Sequence, residues 1–299
     1  MAAQLTVGLI APIFNNMPVW AADHLGLFAG AGLAVSVQVM YGVQNVTSAI
    51  TGGDIEIGLG TPEGVLSDPG GALVIVAGNA SKLANGLIAR RGIASIGDLR
   101  GATVGVSHQT EGTALLVTEM LAAHGLSAGT DYQLRAIGVA SARWEAIMSG
   151  ELDAGLQTPP HKYIATDEGY PNLGDISDYV PDYQFTTVNV RPGWAQANAG
   201  TLRAFLSALA AATRWLYGKP AAATELAARV MATTPDYARR DYQHFASSRS
   251  LAPDLALSQA GMAKVVAVMR AAGTLAAPAD GGDRDSWRAR VDLSFLPAR

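Results

Sequence analysis

The stretch "ITGGDIEIGLGTP", residues 50–62, returns as "IMSGELDAGLQTP" at residues 147–159. At a shift of 97 positions, Ile50, Gly53, Gly58, Leu59, Thr61 and Pro62 fall on Ile147, Gly150, Gly155, Leu156, Thr158 and Pro159. The acids match in kind, Asp54 and Glu56 against Glu151 and Asp153. Each copy has the same physical parts. A glycine, free to take positive φ, ends a helix. A short apolar strand follows, and then Thr-Pro opens the next helix, with Thr as N-cap and Pro in the first turn. Thr6-Val7-Gly8 and Thr103-Val104-Gly105 repeat at the same shift, so the duplication covers two βαβαβ halves and not one local motif.

Working outward, "LTVGLIA" (5–11), "LAVSVQVMY" (33–41), "IEIGLG" (55–60) and "ALVIVAG" (72–78) read as strands. Helices are expected at 17–28, 43–51 and 62–67 between them. The series restarts with a strand in 95–107, a helix at 111–124, a strand at 132–138, a helix at 141–149 and "LDAGLQ" (152–157). Strands separated by single short helices imply βα units and a parallel sheet in each half. From about residue 190 the pattern turns helical: Leu202, Phe205, Leu206, Leu209 and Leu216 form one stripe that stops at Gly218. Pro220 opens another helix, Thr234-Pro235 caps the next, and a last one is expected near 258–272.

At 299 residues the chain fits about two domains. Its 49% hydrophobic and 15% charged residues describe a globular chain with ample apolar side chains to bury. A net charge of -4 without a Lys/Arg cluster argues against nucleic acid as a partner. The absence of cysteine excludes disulfides, thiolate catalysis and Cys-ligated metals. No stretch reads as a membrane span. The opening "MAAQLTVGLI" enters a strand pattern without a leader pattern. The expected location is therefore cytoplasmic for the chain as given, and periplasmic or extracellular if a leader was removed.

"PVWAADHLGLFAGAGLAVSVQV", "ITGGDIEIG", "SGELDAG" and "SIGDLRGATVGV" resemble, in order and spacing, the signatures of the type II periplasmic substrate-binding proteins. The most similar branch is the one for nitrate, sulfonates, taurine and thiamine-pyrimidine precursors. The resemblance spans roughly residues 5–270. It implies two α/β lobes around a central cleft and a helical C-terminal segment packed on lobe 1. Lobe 1 would be residues 1–85 and 191–299, and lobe 2 residues 86–190. It further implies hinge closure on a small organic ligand, delivery to an ABC permease and no cofactor.

In open α/β sheets, ligands bind outside the carboxyl ends of the strands, so the loops there supply the candidate contacts. In the first lobe these are Asn15, Asn16 and Met17 after strand one, Tyr41 after strand two, Thr61 and Glu63 after strand three, and Asn79 after strand four. In the second lobe, Thr110, Glu111, Gly112 and Thr113 open a helix whose free N–H groups suit an anion. Glu111, as a first-turn acid, is expected to complement the helix dipole. Pointed into the cleft, it would disfavour an anion and favour an amine or a protonated heterocycle, and Glu63 at the matching position poses the same choice. Thr158 and His161 complete the set, and Thr61 and Thr158 equally suit plain capping. His108 is expected buried beside its strand end, Arg143 as a brace for its helix and Trp144 in the core. His24, His124 and His244 lack metal-ligand spacing, so no metal is expected.

Two classes of function fit these residues. The first is a non-enzymatic solute receptor, with no catalytic residues. The second is a cytoplasmic enzyme on the same fold, a cofactor-independent decarboxylase or lyase acting on a small aromatic or carboxylic acid. It would use His161, Glu111, His108 and Glu63 as its acid/base set. The receptor is the reading adopted, and a regulatory ligand-sensing domain ranks behind both.

Overall fold

Both copies of the repeat form the same helix end and the same strand. The computed structural model describes residues 2–68, 70–108, 113–275 and 286–297. Gly53 and Gly150 follow their helices at φ 88° and 79°, in the left-handed region a side chain would resist. In chain order the first run is β1 (Ala3–Leu9), α1 (Met17–His24), α2 (Leu27–Gly30), β2 (Leu33–Val39), α3 (Val43–Gly52), β3 (Ile57–Gly60), α4 (Pro62–Leu66) and β4 (Val74–Ala80). The second is β5 (Gly86–Ala89), β6 (Thr103–Val106), α5 (Thr113–Ala122), β7 (Gln133–Ala136), α6 (Ala140–Met148), β8 (Ala154–Gln157), α7 (His161–Asp167), β9 (Asn172–Asp175) and α8 (Ile176–Tyr179). After β10 (Thr186–Val190) come α9 (Pro192–Ala197), α10 (Ala199–Gly218), α11 (Pro220–Val230), α12 (Pro235–Ser248) and α13 (Gln259–Ala271).

The chain divides into two units. The first is Met1–Lys82, Tyr183–Val266 and Ala277–Arg299; the second is Leu83–Asp182 and Ala267–Ala276. The first holds a sheet in the order β2-β1-β3-β10-β4, and the second a sheet in the order β7-β6-β8-β5-β9. These are one topology used twice: β1, β2, β3 and β4 correspond to β6, β7, β8 and β9. The expectation of wholly parallel sheets needs correction. Each sheet carries one antiparallel strand, β10 between β3 and β4, and β5 between β8 and β9. Both lie where the chain passes from one unit to the other, so neither belongs to a βα unit, and βα periodicity does not reveal them.

One of the two acid pairs, Glu56 and Asp153, now has a physical account. The Thr6 N–H donates to Glu56 Oε2 at 2.7 Å, and the Thr103 N–H donates to Asp153 Oδ2 at 2.8 Å. In return the Glu56 N–H reaches the Thr6 carbonyl at 3.2 Å and the Asp153 N–H reaches the Thr103 carbonyl at 3.0 Å. Each acid fastens the amino end of its own strand to the neighbouring one, and the repeat preserves the charge because it preserves that clasp.

In the first unit the helices after β10 pack on the sheet's own helices. Leu202, Phe205, Leu206, Leu209 and Leu216 of α10 are buried, and Phe205 stacks on Phe28 with centroids 5.2 Å apart. Each such side chain contributes about 1.5–3 kcal/mol of burial before conformational entropy is subtracted. In the second unit, Trp144 sits in the core with Ile88, Ile147 and Leu152.

Candidate functional site: buried polar groups at the carboxyl ends of the strands

The carboxyl ends of β1, β3 and β4 lie on one edge of the first sheet, together with the amino end of the antiparallel β10. After β1 the chain makes a short turn at Phe14–Asn16, anchored by Phe14. Its ring lies 4.7 Å from Phe245 and 6.0 Å from Tyr242, both on α12. That anchor fixes Asn15, Asn16 and Met17. Asn16 is wholly buried, and its Nδ2 donates to the Ala11 carbonyl at 2.7 Å. Met17 is buried in the hydrophobic core of this unit. Asn79, near the end of β4, donates through Nδ2 to the Asn15 carbonyl at 2.7 Å and to Thr186 Oγ1 at 2.9 Å. Asn79 thereby joins the β1 turn to β10.

Thr61 was expected to cap α4. It does occupy the N-cap position, with φ -104° and ψ 154°, yet its side chain makes no capping bond. Its Oγ1 is buried without a partner among the described residues, and so are Asn16 Oδ1 and Asn79 Oδ1. Neither amide is free to turn over, because each nitrogen faces a backbone carbonyl that only a donor satisfies. Beside them Glu63, in the first turn of α4, is 3% exposed and accepts the Tyr183 hydroxyl at Oε1, at 2.6 Å. Asn189 Nδ2 donates to the Thr61 carbonyl at 3.3 Å, holding that corner against β10. Tyr41, after β2, is 61% exposed and stands at φ 50°, an uncommon conformation for an aromatic residue.

The second unit presents its own edge. β8 ends at Gln157, and the copy of the Thr-Pro corner departs from the first. Thr158 does not cap: α7 begins at His161 with Pro160 as its N-cap residue, so the added proline moves the helix start beyond Thr158. Thr158 and His161 are half-buried. Arg143, almost wholly buried, donates from Nε to the Leu156 carbonyl at 3.0 Å and from Nη1 to the Gly138 carbonyl. It braces α6 against the end of β8. Burial pushes its guanidinium down to about 10. Burial also lowers the His161 imidazole below its usual value; the nearby Arg143 charge adds to this and Glu145 opposes it. Lys162 is tied to Asp175 Oδ2 at 2.6 Å and to the Ala84 carbonyl at 3.4 Å, which orients α7.

The residues expected at this edge from 110 to 112, Thr110, Glu111 and Gly112, lie outside the described residues. Thr113 opens α5. His108, expected buried beside its strand end, is instead exposed. Within the first unit, hydrogen bonds tie Asn79 to the Asn15 carbonyl and Thr186, Asn189 to the Thr61 carbonyl, and Tyr183 to Glu63, while Asn16 lies in the same turn as Asn15. The structure also adds residues that sequence reasoning passed over, namely Tyr183, Thr186 and Asn189, all on β10 or the segment leading into it. The signal for them was present in "YQFTTVNV" (183–190), a β-branched run with polar residues at interior positions.

The NMT1/THI5-like family profile matches residues 13–223, more than half of the chain. The chain belongs to the NMT1/THI5-like family. Among solved structures, the chain is similar to the alkanesulfonate-binding protein SsuA from Xanthomonas axonopodis pv. citri, determined with MOPS bound. That match has 18% identity and a TM-score of 0.76, and covers 97% of this chain and 98% of the other. It is also similar to the periplasmic nitrate-binding protein NrtA from Synechocystis PCC 6803, at 11% identity and a TM-score of 0.80, covering 98% and 87%. A third match is the Candida albicans CA3427 gene product, at 14% identity and a TM-score of 0.79, covering 99% and 98%. No curated protein matches the chain. These likenesses give this family member the type II periplasmic binding-protein fold. Among the described residues, no helix is long and apolar enough to cross a membrane.

Proposed function

We propose that this chain is a solute-binding protein. It captures a small organic molecule against the carboxyl ends of its strands and closes on it by a hinge movement. The observation that carries this reading is the set of three buried, partnerless polar atoms at the edge of the first sheet, on Asn16, Thr61 and Asn79. An unsatisfied buried polar group costs about 1–3 kcal/mol, so three at one sheet edge favour a site that a bound molecule completes. None of the three is spent on a cap or a turn.

In the second unit the candidate contacts are Thr158 and His161, which follow the carboxyl end of β8. Delivery to an ABC permease and a location outside the cytoplasmic membrane follow from the same reading, supported by neighbours named as periplasmic binding proteins and as components of ABC-type import systems. Binding of this kind needs no cofactor.

Native mass spectrometry of freshly purified protein tests the reading, followed by thermal-shift screening and re-analysis of every hit for turnover. A chemically unchanged molecule that raises the melting temperature is the expected result. A hit returned decarboxylated or otherwise converted refutes the reading in favour of an enzyme.

A further inference from the structure

Resting on that reading, we infer that the carboxyl-terminal segment, residues 286–297, is a positioning element of the binding site. Its Arg290 holds the far end of α4 and thereby sets the Thr61 corner at the near end. α4 has five residues, too few for a helix to persist in water by its own hydrogen bonds, and its amino end lacks a side-chain cap. Neighbours therefore impose its geometry. At the amino end the neighbour is Asn189, bonded to the Thr61 carbonyl. At the carboxyl end it is Arg290, whose Nη2 donates to the Val65 carbonyl and to the Asp68 carbonyl, each at 2.7 Å. These partners are 225 and 222 positions away along the chain. A helix leaves its last carbonyls without internal partners, and a cation there also meets the negative end of the dipole. At 1.5 Å per residue α4 is about 7–8 Å long, so a shift at Val65 reaches Thr61 as a tilt of the whole helix.

The rest of the segment is built to hold that arginine in place. Trp287 and Phe295 are both buried, Phe295 in the hydrophobic core of the unit, so the segment is anchored on either side of Arg290. Between the anchors, Val291 bridges Ile75 of β4, and the Asp292 N–H donates to the Ile75 carbonyl at 2.8 Å. On its other side Ile75 pairs with Asn189. The two holds on α4, from Asn189 and from Arg290, are thus in register across one residue of β4. β4 is the last strand of its sheet, and the segment also covers that open edge. Covering an edge needs the backbone of the segment and not this side chain. The Arg290 Nε is buried without a partner among the described residues, so the guanidinium is oriented for the two carbonyls at the expense of its own third donor.

The chain has no cysteine, so one introduced thiol reports on one position. The test uses the full chain carrying Thr61→Cys and measures its rate of reaction with the disulfide reagent DTNB under native conditions. Val7→Cys, in the buried middle of β1, serves as the control for global opening. Adding Arg290→Met is expected to speed labelling at position 61 about tenfold and to leave position 7 within about twofold. One nitrogen serves both carbonyls, so the single ammonium of Arg290→Lys is expected to bring the rate back to within about threefold of the parent. An unchanged rate at position 61, or equal acceleration at both positions, overturns the inference. Arg290→Lys labelling as fast as Arg290→Met assigns the effect to lost packing and overturns it too. If Arg290→Met does not fold, native-state hydrogen exchange of the parent decides. The Ser67 N–H, bonded to the Glu63 carbonyl, and the Asp292 N–H are expected to lose protection at the same urea concentration. Opening at Asp292 while Ser67 stays protected overturns the inference. None of these readouts needs a ligand, so native mass spectrometry of the parent judges the solute-binding reading separately. A parent that carries a bound molecule is expected to lose it with Arg290→Met and keep it with Arg290→Lys; retention at parent occupancy in Arg290→Met overturns the inference and leaves the reading standing.

Discussion

Thr61→Val is expected to stabilise the ligand-free protein, although replacing an N-cap threonine ordinarily costs about 1 kcal/mol. The Thr61 hydroxyl is 2% exposed, caps nothing and has no partner among the described residues. Removing an unsatisfied buried hydroxyl recovers about 1–3 kcal/mol, and valine fills nearly the same volume. The backbone at φ -104° and ψ 154° already suits a β-branched side chain. The net expectation is a gain of about 1–2 kcal/mol, or roughly 2–4 °C per kcal/mol in melting temperature for a chain of this size. The chain supplies its own control. Thr234 begins the same Thr-Pro dipeptide, but its side chain does accept the Tyr237 N–H, at 3.3 Å. Thr234→Val should therefore lose about 1 kcal/mol. Urea denaturation of both variants without ligand decides the matter by the sign of the change. If Thr61→Val is destabilised as much as Thr234→Val, the hydroxyl has a partner and the reasoning from unsatisfied groups fails.

Gly78→Ala is expected to lose about 3 kcal/mol, because an added Cβ would lie 2.3 Å from the Ala256 carbonyl oxygen, a backbone atom that cannot rotate away; a urea midpoint unchanged from the parent would contradict this. Asp153→Asn should lose about 1 kcal/mol, since Asp153 accepts from Arg90 at 2.7 Å as well as from the Thr103 N–H. Burial raises the Asp153 carboxyl, but the Arg90 and Thr103 hydrogen bonds and the Arg90 charge outweigh it and hold the group below its usual value. Its contribution is therefore complete above the unfolded value near 3.9 and is lost as pH falls toward the lowered folded one, so parent and variant should converge in acid. His161 is shifted in the same direction, chiefly by burial, and with the same sense of pH dependence. Its folded value lies below the unfolded one near 6.5, so its neutral form favours folding above that pH, and this stability declines as pH falls through 6.5 toward the folded value. A proton NMR titration, assigned with His161→Asn, should place its midpoint below the usual value near 6.5; a midpoint at or above 6.5 would contradict the burial that causes the shift.

The repeat was legible because it rests on local chemistry. Gly53 and Gly150 must end helices, the strand between Ile57 and Gly60 must be apolar, and Glu56 and Asp153 must keep a charge in place, so all survive as letters at one shift. What was not legible depended on partners far away in the chain. The Thr-Pro dipeptide carries the same propensity at Thr61, Thr158 and Thr234, yet only at Thr234 is the hydroxyl used as a cap. The difference lies in Pro160 for one and in tertiary burial for the other. Asn16 and Asn79 were recognised as candidates from their loop positions. That their oxygens and not their nitrogens remain available depends on the carbonyls of Ala11 and Asn15. Tyr183, Thr186 and Asn189 escaped because the strand they serve follows no βα period.

That strand also sets a timetable. β10 lies between β3 and β4 in space but leaves the ribosome about 110 residues after β4 ends. At ordinary synthesis rates the delay is roughly 5–20 s. The second sheet has no such wait, because all five of its strands fall within residues 86–175 and can pair as soon as they emerge. During those seconds β3 and β4 each lack a neighbour and present unpaired backbone edges, the surfaces through which nascent chains stick to one another. The half of the protein made first is thus the half finished last, and any chaperone that serves this chain during translation has its work in that interval.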